Sequence, residues 1–174
     1  PKDVQALIRS AAEVDYEFSI LQAVEAVNDR QKKHLLPKIT KYFSGNLQGV
    51  RLALWGLAFK PNTDDIREAP ALQIIDALTA AGATIVAYDP EAMANVKKIM
   101  GDKIQYAPHP YAALEGADAL IIATEWSEFR TPDFDRMGET IKNKVIFDGR
   151  NLFDVKQMQA LGYHYESIGR GQII

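Results

Sequence analysis

The sequence has no cysteine at any of its 174 positions. That excludes disulfides, thiolate metal ligands and a cysteine nucleophile among these residues. Histidine is nearly as scarce: His34, His109 and His164 stand far apart, without the paired spacing of a zinc cluster, so no metal centre is expected. No window approaches the ~20 apolar residues of a membrane span, and no charged-then-apolar leader opens the chain. The expected address is therefore the cytoplasm, with no membrane partner. A basic excess is missing too. Lys and Arg number 20 against 23 Asp and Glu, the formal net charge is −3, and the longest basic run is Lys32-Lys33-His34. Nucleic acid is thus not an expected partner. Nor does the chain begin with Met; Pro1 points to a fragment or a processed product.

What is present, 47% hydrophobic and 25% charged residues, fits an ordinary globular chain long enough for one core and an appendage. Glycine is absent before Gly45, and Pro37 is the one proline between residues 2 and 43. Phe18, Ile20, Leu21, Val24, Val27 and Leu35 follow helical spacing. The pattern predicts a helix over 3–12 and a second over 14–43, starting near Val14 or Asp15 and stopped by Ser44-Gly45-Asn46. A helix of about 30 residues would be ~45 Å long, wider than a small domain. Residues 1–46 therefore read as a helical segment for oligomerisation or interdomain contact, with packing inside the chain as the competing reading.

From residue 50 the pattern changes. Val50–Leu57, Thr84–Tyr88, Ala119–Ala123 and Lys144–Phe147 read as buried strands, with weaker ones at Ile104–Tyr106 and His164–Ile168. Helical patterns fall near 70–82, 90–100, 110–115, 133–141 and 154–161. Gly82 and Gly162 stand where helix C-caps are wanted. The expected fold class is α/β: a long N-terminal helical segment, then a Rossmann-like, doubly wound parallel sheet over residues 47–174.

In such a sheet, ligands bind beyond the carboxyl ends of the strands. The first of these loops, Gly56-Leu57-Ala58-Phe59-Lys60-Pro61-Asn62-Thr63-Asp64-Asp65-Ile66-Arg67-Glu68, is not a G-x-G-x-x-G fingerprint, so a dinucleotide in the usual pose is not expected. It offers Phe59 beside Lys60, then Arg67 before a helix opening at Ala69-Pro70, which suits a phosphate or diphosphate. A solvated charged loop is the alternative. Asp89, in Tyr88-Asp89-Pro90, stands where dinucleotide folds hold a ribose, but it reads better as a helix cap. Thr124-Glu125-Trp126 and Asp148-Gly149-Arg150-Asn151 follow the later strands. Gly149 would let the chain turn the Arg150 guanidinium over the sheet edge onto an anion; a surface ion pair with Asp148 or Asp154 competes with that.

These loops, taken in order with Val27-Asn28-Asp29-Arg30-Gln31, closely resemble the C-terminal part of the UDP-glucose 6-dehydrogenase family. Pro1-Lys2-Asp3-Val4 is similar to the end of that family's active-site motif, in which a nucleophilic cysteine stands two positions before the proline. The resemblance implies an enzyme with an N-terminal NAD domain, a central helix that builds a homodimer, and a C-terminal Rossmann-like domain that binds UDP-glucose. It also implies oxidation of the sugar's C6 alcohol to a carboxylate in two hydride transfers, through a thioester on that cysteine. By matched position, Asp3 would be catalytic. Phe59, Lys60 and Arg150 would contact the UDP-sugar, and Lys2 and Arg67 would contact NAD held mainly by the other domain. This chain alone is expected to be inactive and to carry an apolar patch near residues 4–24. Alternatives are a dehydrogenase of GDP-mannose or UDP-N-acetylmannosamine, a non-catalytic nucleotide-binding module, or a domain serving assembly alone.

Overall fold

The computed structural model describes residues 2–170, Lys2 by its backbone alone. Strands β1 (Arg51–Trp55), β2 (Thr84–Tyr88), β3 (Gln105–Tyr106), β4 (Ala119–Ile122), β5 (Val145–Asp148) and β6 (His164–Ser167) form a six-stranded sheet in the order β3-β2-β1-β4-β5-β6. All neighbouring pairs are parallel. The continuous apolar character of β1, β4 and β5 follows from this, because helices cover both faces and Leu52–Trp55, Ala119–Ile122 and Val145–Asp148 are buried throughout. The edge strand β6 instead alternates half-buried and buried residues. Strand order reverses between β1 and β4, so the crevice lies at the carboxyl ends of the central strands.

The helices are α1 (Lys2–Ala12), α2 (Ser19–Lys32), α3 (Leu35–Tyr42), α4 (Pro70–Ala80), α5 (Met93–Met100), α6 (Pro110–Leu114), α7 (Ser127–Arg130), α8 (Phe134–Thr140) and α9 (Val155–Ala160). Local chemistry sets several starts. Pro70 and Pro110 occupy first-turn positions, and the side chains of His109, Asp133 and Asp154 accept N–H groups of α6, α8 and α9. Gly82 and Gly162 take φ values of +95° and +78° just after α4 and α9. The single turn α7 was not anticipated, being too short to show a period. Phe129, its fully buried anchor, stacks on Trp55 with ring centroids 5.0 Å apart.

The single helix expected over 14–43 is two helices, and both ends of the discrepancy have local causes. Asp15 lies in the left-handed region at φ +52°, and the Tyr16 N–H returns to the Ala11 carbonyl at 2.9 Å. The 13–18 segment therefore closes α1 rather than opening α2. Further on, Pro37 has no N–H, and its ring would meet the carbonyl of Lys33 in an unbroken helix. The chain tightens at Lys33 and His34, whose N–H groups bond to Arg30 and Gln31 carbonyls. It restarts at Leu35, which places Pro37 in the first turn of α3, where a missing donor costs nothing.

The break divides the packing. Leu35 and Ile39 of α3 are buried in the core of the sheet domain, whereas α2 buries no residue fully. Leu7, Val14, Tyr16, Phe18, Ile20, Val24 and Val27 are exposed apolar side chains along α1, α2 and their connection. This exposed stripe includes the apolar patch expected near residues 4–24. Among the described residues, no helix is long and apolar enough to cross a membrane.

Candidate functional site: a cationic cleft at the strand ends

Two fully buried aspartates organise the loops at the carboxyl edge. Asp89 directly follows β2, and its Oδ2 accepts the N–H groups of Leu57 (2.6 Å) and Ala58 (3.0 Å) and the Trp126 indole N–H (3.0 Å). Its Oδ1 accepts the N–H groups of Glu91 (2.9 Å) and Ala92 (2.7 Å). Asp89 thus caps the turn before α5, as expected, and also ties the loop after β1 to β2. Asp148 ends β5 in the same manner. Its Oδ1 accepts the Arg150 N–H (2.8 Å), and its Oδ2 accepts the Leu152 N–H and the Tyr165 hydroxyl, each at 2.7 Å. Burial, foremost, and the Asp148 carboxylate push the Tyr165 phenol well above its ordinary range.

Between these anchors the chain approaches itself closely. The Thr124 hydroxyl donates to the Ala58 carbonyl at 2.6 Å. Gly56 has φ +92°, and a Cβ there would stand 2.5 Å from the Thr124 Cβ. At Gly149 the need for glycine is steric. It does not supply the turn expected from the sequence, since its φ is not left-handed, but a Cβ would lie 2.9 Å from the Ile122 carbonyl oxygen and 3.1 Å from Leu35. The missing side chain lets α3 and β4 close against the loop that carries Arg150.

Arg150 folds back over the sheet edge. Its Nε–H donates to the Ala123 carbonyl (2.8 Å) and an Nη2–H to the Phe59 carbonyl (3.2 Å). The carboxylate beside it is Glu125, with Oε2 3.0 Å from Nε. Asp148 and Asp154, the partners considered from sequence, accept backbone N–H groups instead. With Nε and one Nη2 hydrogen used, the rest of the fork has no partner among the described residues. A guanidinium held this way is a preorganised anion site.

Arg150 lines a cleft of ≈ 440 Å³ together with Phe59, Ala123 and the α2 residues Asn28, Gln31 and Lys32. Lys32 pairs with Glu68 at 2.5 Å, joining the helical arm to the loop after β1. Burial alone would lower the Lys32 ammonium, but Glu68 and Asp29 outweigh it and hold it above its usual value. The hydrogen bond from Lys32 holds the Glu68 carboxyl below its own. Lys32 escaped the sequence reading, although Asn28, Lys32 and Leu35 fall on one helical face beside the apolar stripe.

The other candidates are placed apart from this cleft. Lys60 is exposed on the same loop and does not line it. Arg67 is exposed, gripped by Asp65 through Nε and Nη2 at 2.9 Å each, and directed to solvent. Asp3 is exposed on the first turn of α1. The Lys2 side chain and Pro1 lie outside the described residues. Asp89, which stands where dinucleotide folds hold a ribose, has its carboxylate taken up by five N–H groups. Among the described residues no group of three His, Asp or Glu side chains is arranged to hold a metal.

Residues 53–155 match the UDP binding domain of the UDP-glucose/GDP-mannose dehydrogenase family. The chain is 47% identical to a UDP-glucose 6-dehydrogenase of Pseudomonas aeruginosa over 175 residues, which are 98% of this chain and 39% of that protein. It is 42% identical to one from Bacillus subtilis, covering 98% of this chain and 37% of the relative. The chain therefore spans less than two fifths of the curated relatives' length. The structure of a UDP-glucose dehydrogenase from Pyrobaculum islandicum superposes with a TM-score of 0.77 at 32% identity, over 96% of this chain and 35% of that one.

Proposed function

Because the chain belongs to the UDP-glucose/GDP-mannose dehydrogenase family, as its UDP binding domain shows, we propose that it is the UDP-sugar-binding and dimerising portion of a cytoplasmic UDP-glucose 6-dehydrogenase. The full enzyme would oxidise UDP-glucose to UDP-glucuronate, with NAD accepting the two hydrides. The observation that carries this reading is the Arg150 guanidinium, anchored by the Ala123 and Phe59 carbonyls with its remaining fork open toward the cleft.

Within that reading Arg150 binds the diphosphate, Phe59 offers its ring to the uridine side of the ligand, and Lys60 approaches the phosphates from the rim. Arg67, held outward by Asp65, is presented to NAD carried by a neighbouring domain, with Lys2 as a second contact there. Asp3 would handle the proton and water of the oxidation. A second copy of the chain would cover the exposed stripe of α1 and α2 and make the homodimer. These 174 residues alone would not turn over, having neither a cysteine nor a glycine-rich dinucleotide loop.

Calorimetric titration of the chain with UDP, UDP-glucose and GDP-mannose, with NAD as control, tests the reading. Uridine ligands should bind, and NAD should not. Lys60→Ala should weaken UDP by about 1–3 kcal/mol, and Arg150→Ala by about 1.5–3 kcal/mol, the range for a hydrogen bond to a charged group. Preference for GDP-mannose would move the chain to another branch of the family. Reduction of NAD by the chain with UDP-glucose would refute its inactivity.

A further inference from the structure

Glu125 stands in an unusual relation to Arg150. Its Oε2 is within 3.0 Å of the Arg150 Nε, yet the Nε hydrogen is donated to the Ala123 carbonyl. That carboxylate oxygen is buried and receives no hydrogen bond among the described residues. Proximity and charge alone hold the two side chains together, and both are about equally half-buried, each at 28% side-chain exposure. The neighbours of Glu125 are committed elsewhere: Thr124 braces the loop after β1, and Trp126 reaches Asp89. Glu125 is the member of this triplet that faces the guanidinium.

We propose that Glu125 is the resident counter-ion of Arg150, a carboxylate whose charge every anion entering the cleft must overcome. The guanidinium's orientation does not need it, because the Ala123 and Phe59 carbonyls already fix the plane. Glu125 cancels the cation's charge while the cleft holds no anion, and it repels a phosphate approaching the open side of the fork. Lacking a hydrogen bond, it is a weak competitor that a multiply charged ligand displaces or outweighs. Removing its charge while keeping its shape therefore raises anion affinity, the opposite of what a positioning residue would show. The inference rests on the cleft being the site of a nucleoside diphosphate ligand, as proposed above.

The test is calorimetric titration of the wild-type chain, Glu125→Gln and Glu125→Asp with inorganic pyrophosphate, UDP and uridine, after thermal melts have established that each variant folds. Glu125→Gln should bind pyrophosphate and UDP roughly three- to fivefold more tightly, the equivalent of a partly exposed charge interaction. Uridine, which carries no charge, should bind both proteins alike. Glu125→Asp, which keeps the charge but withdraws it by one methylene, should show a smaller gain in the same direction and suffices if Glu125→Gln fails to fold. Unchanged or weaker pyrophosphate binding in the variants overturns the proposal. A gain for pyrophosphate with no UDP binding by any of the proteins supports the counter-ion and overturns the uridine reading alone. Absence of anion binding throughout overturns both.

Discussion

Asp89→Asn changes one oxygen of the most heavily bonded side chain at the strand ends into an NH2 group. The native carboxylate accepts three N–H groups at Oδ2 and two at Oδ1. An asparagine has one acceptor oxygen, so its amide nitrogen faces either the buried Leu57, Ala58 and Trp126 donors or the buried Ala92 N–H and the part-buried Glu91 N–H. Each orphaned buried donor costs about 1–3 kcal/mol, which puts the loss between about 1 and 6 kcal/mol. For a chain of this length 1 kcal/mol moves Tm by about 2–4 °C, so a mid-range loss of about 4 kcal/mol lowers Tm by about 8–16 °C. Thermal melts and urea titrations at pH 7 measure it, with the exposed Glu139→Gln as a control expected within about 0.5 kcal/mol of wild type. Asparagine is as good a helix cap as aspartate. A loss below about 1 kcal/mol would therefore mean that Asp89 only caps the turn, and the tie between β1 and β2 would be refuted.

Gly56→Ala should cost about 2–4 kcal/mol in urea titration, since its Cβ would collide with Thr124 at a backbone angle that side chains avoid; a neutral result would show that the β1 loop yields freely. Tyr165→Phe removes the hydroxyl donated to Asp148 and should lower stability by about 1.5–3 kcal/mol in the same assay. Glu68→Gln should cost about 1 kcal/mol at pH 7. Because the native Glu68 carboxyl is held below its ordinary 4.5, the pair's contribution is complete above that value and lost as pH falls through the lowered native one. Because Lys32 is held above 10.5, the contribution is complete below that pH and declines beyond it. The gap between Glu68→Gln and wild type should thus be flat across neutral pH and close on the acid side. A gap that does not shrink as the pH is lowered below 4.5 toward the acid limit of the fold would contradict the ion-pair account.

The parallel sheet was legible because burial on both faces leaves an unbroken apolar run, and β1, β2, β4 and β5 carry one each. The places worth inspecting were legible as well, since strand ends are where such sheets bind ligands. Partners were not. Sequence proximity offers Arg150 the carboxylates of Asp148 and Asp154, whereas the one beside it is Glu125, brought there by the pairing of β4 with β5. Asp89 reads as a local cap because Leu57, Ala58 and Trp126 lie more than thirty residues away. The 14–43 segment looked continuous because apolar spacing survives the interruption, while its cause is a backbone property of Pro37 and an unexpected turn at Asp15. In each case local spacing carried the element, and long-range contact decided what its side chains meet.

The interruption between α2 and α3 leaves α2 seated on the cleft by one end. The α2 residues that line the cleft, Asn28, Gln31 and Lys32, all sit in its last two turns beside the break, while the rest of the helix, from Val27 back to Ser19, runs on for about 13 Å at 1.5 Å per residue. Such a helix is a lever held near its fulcrum. Were α2 to turn as a rigid rod about His34, a movement of about 1 Å at Lys32, roughly 3 Å from that point, would become about 7–8 Å at Ser19, roughly 22 Å from it. In that case the width of the cleft and the angle of the apolar stripe would be one variable, read at its two ends with very different gain.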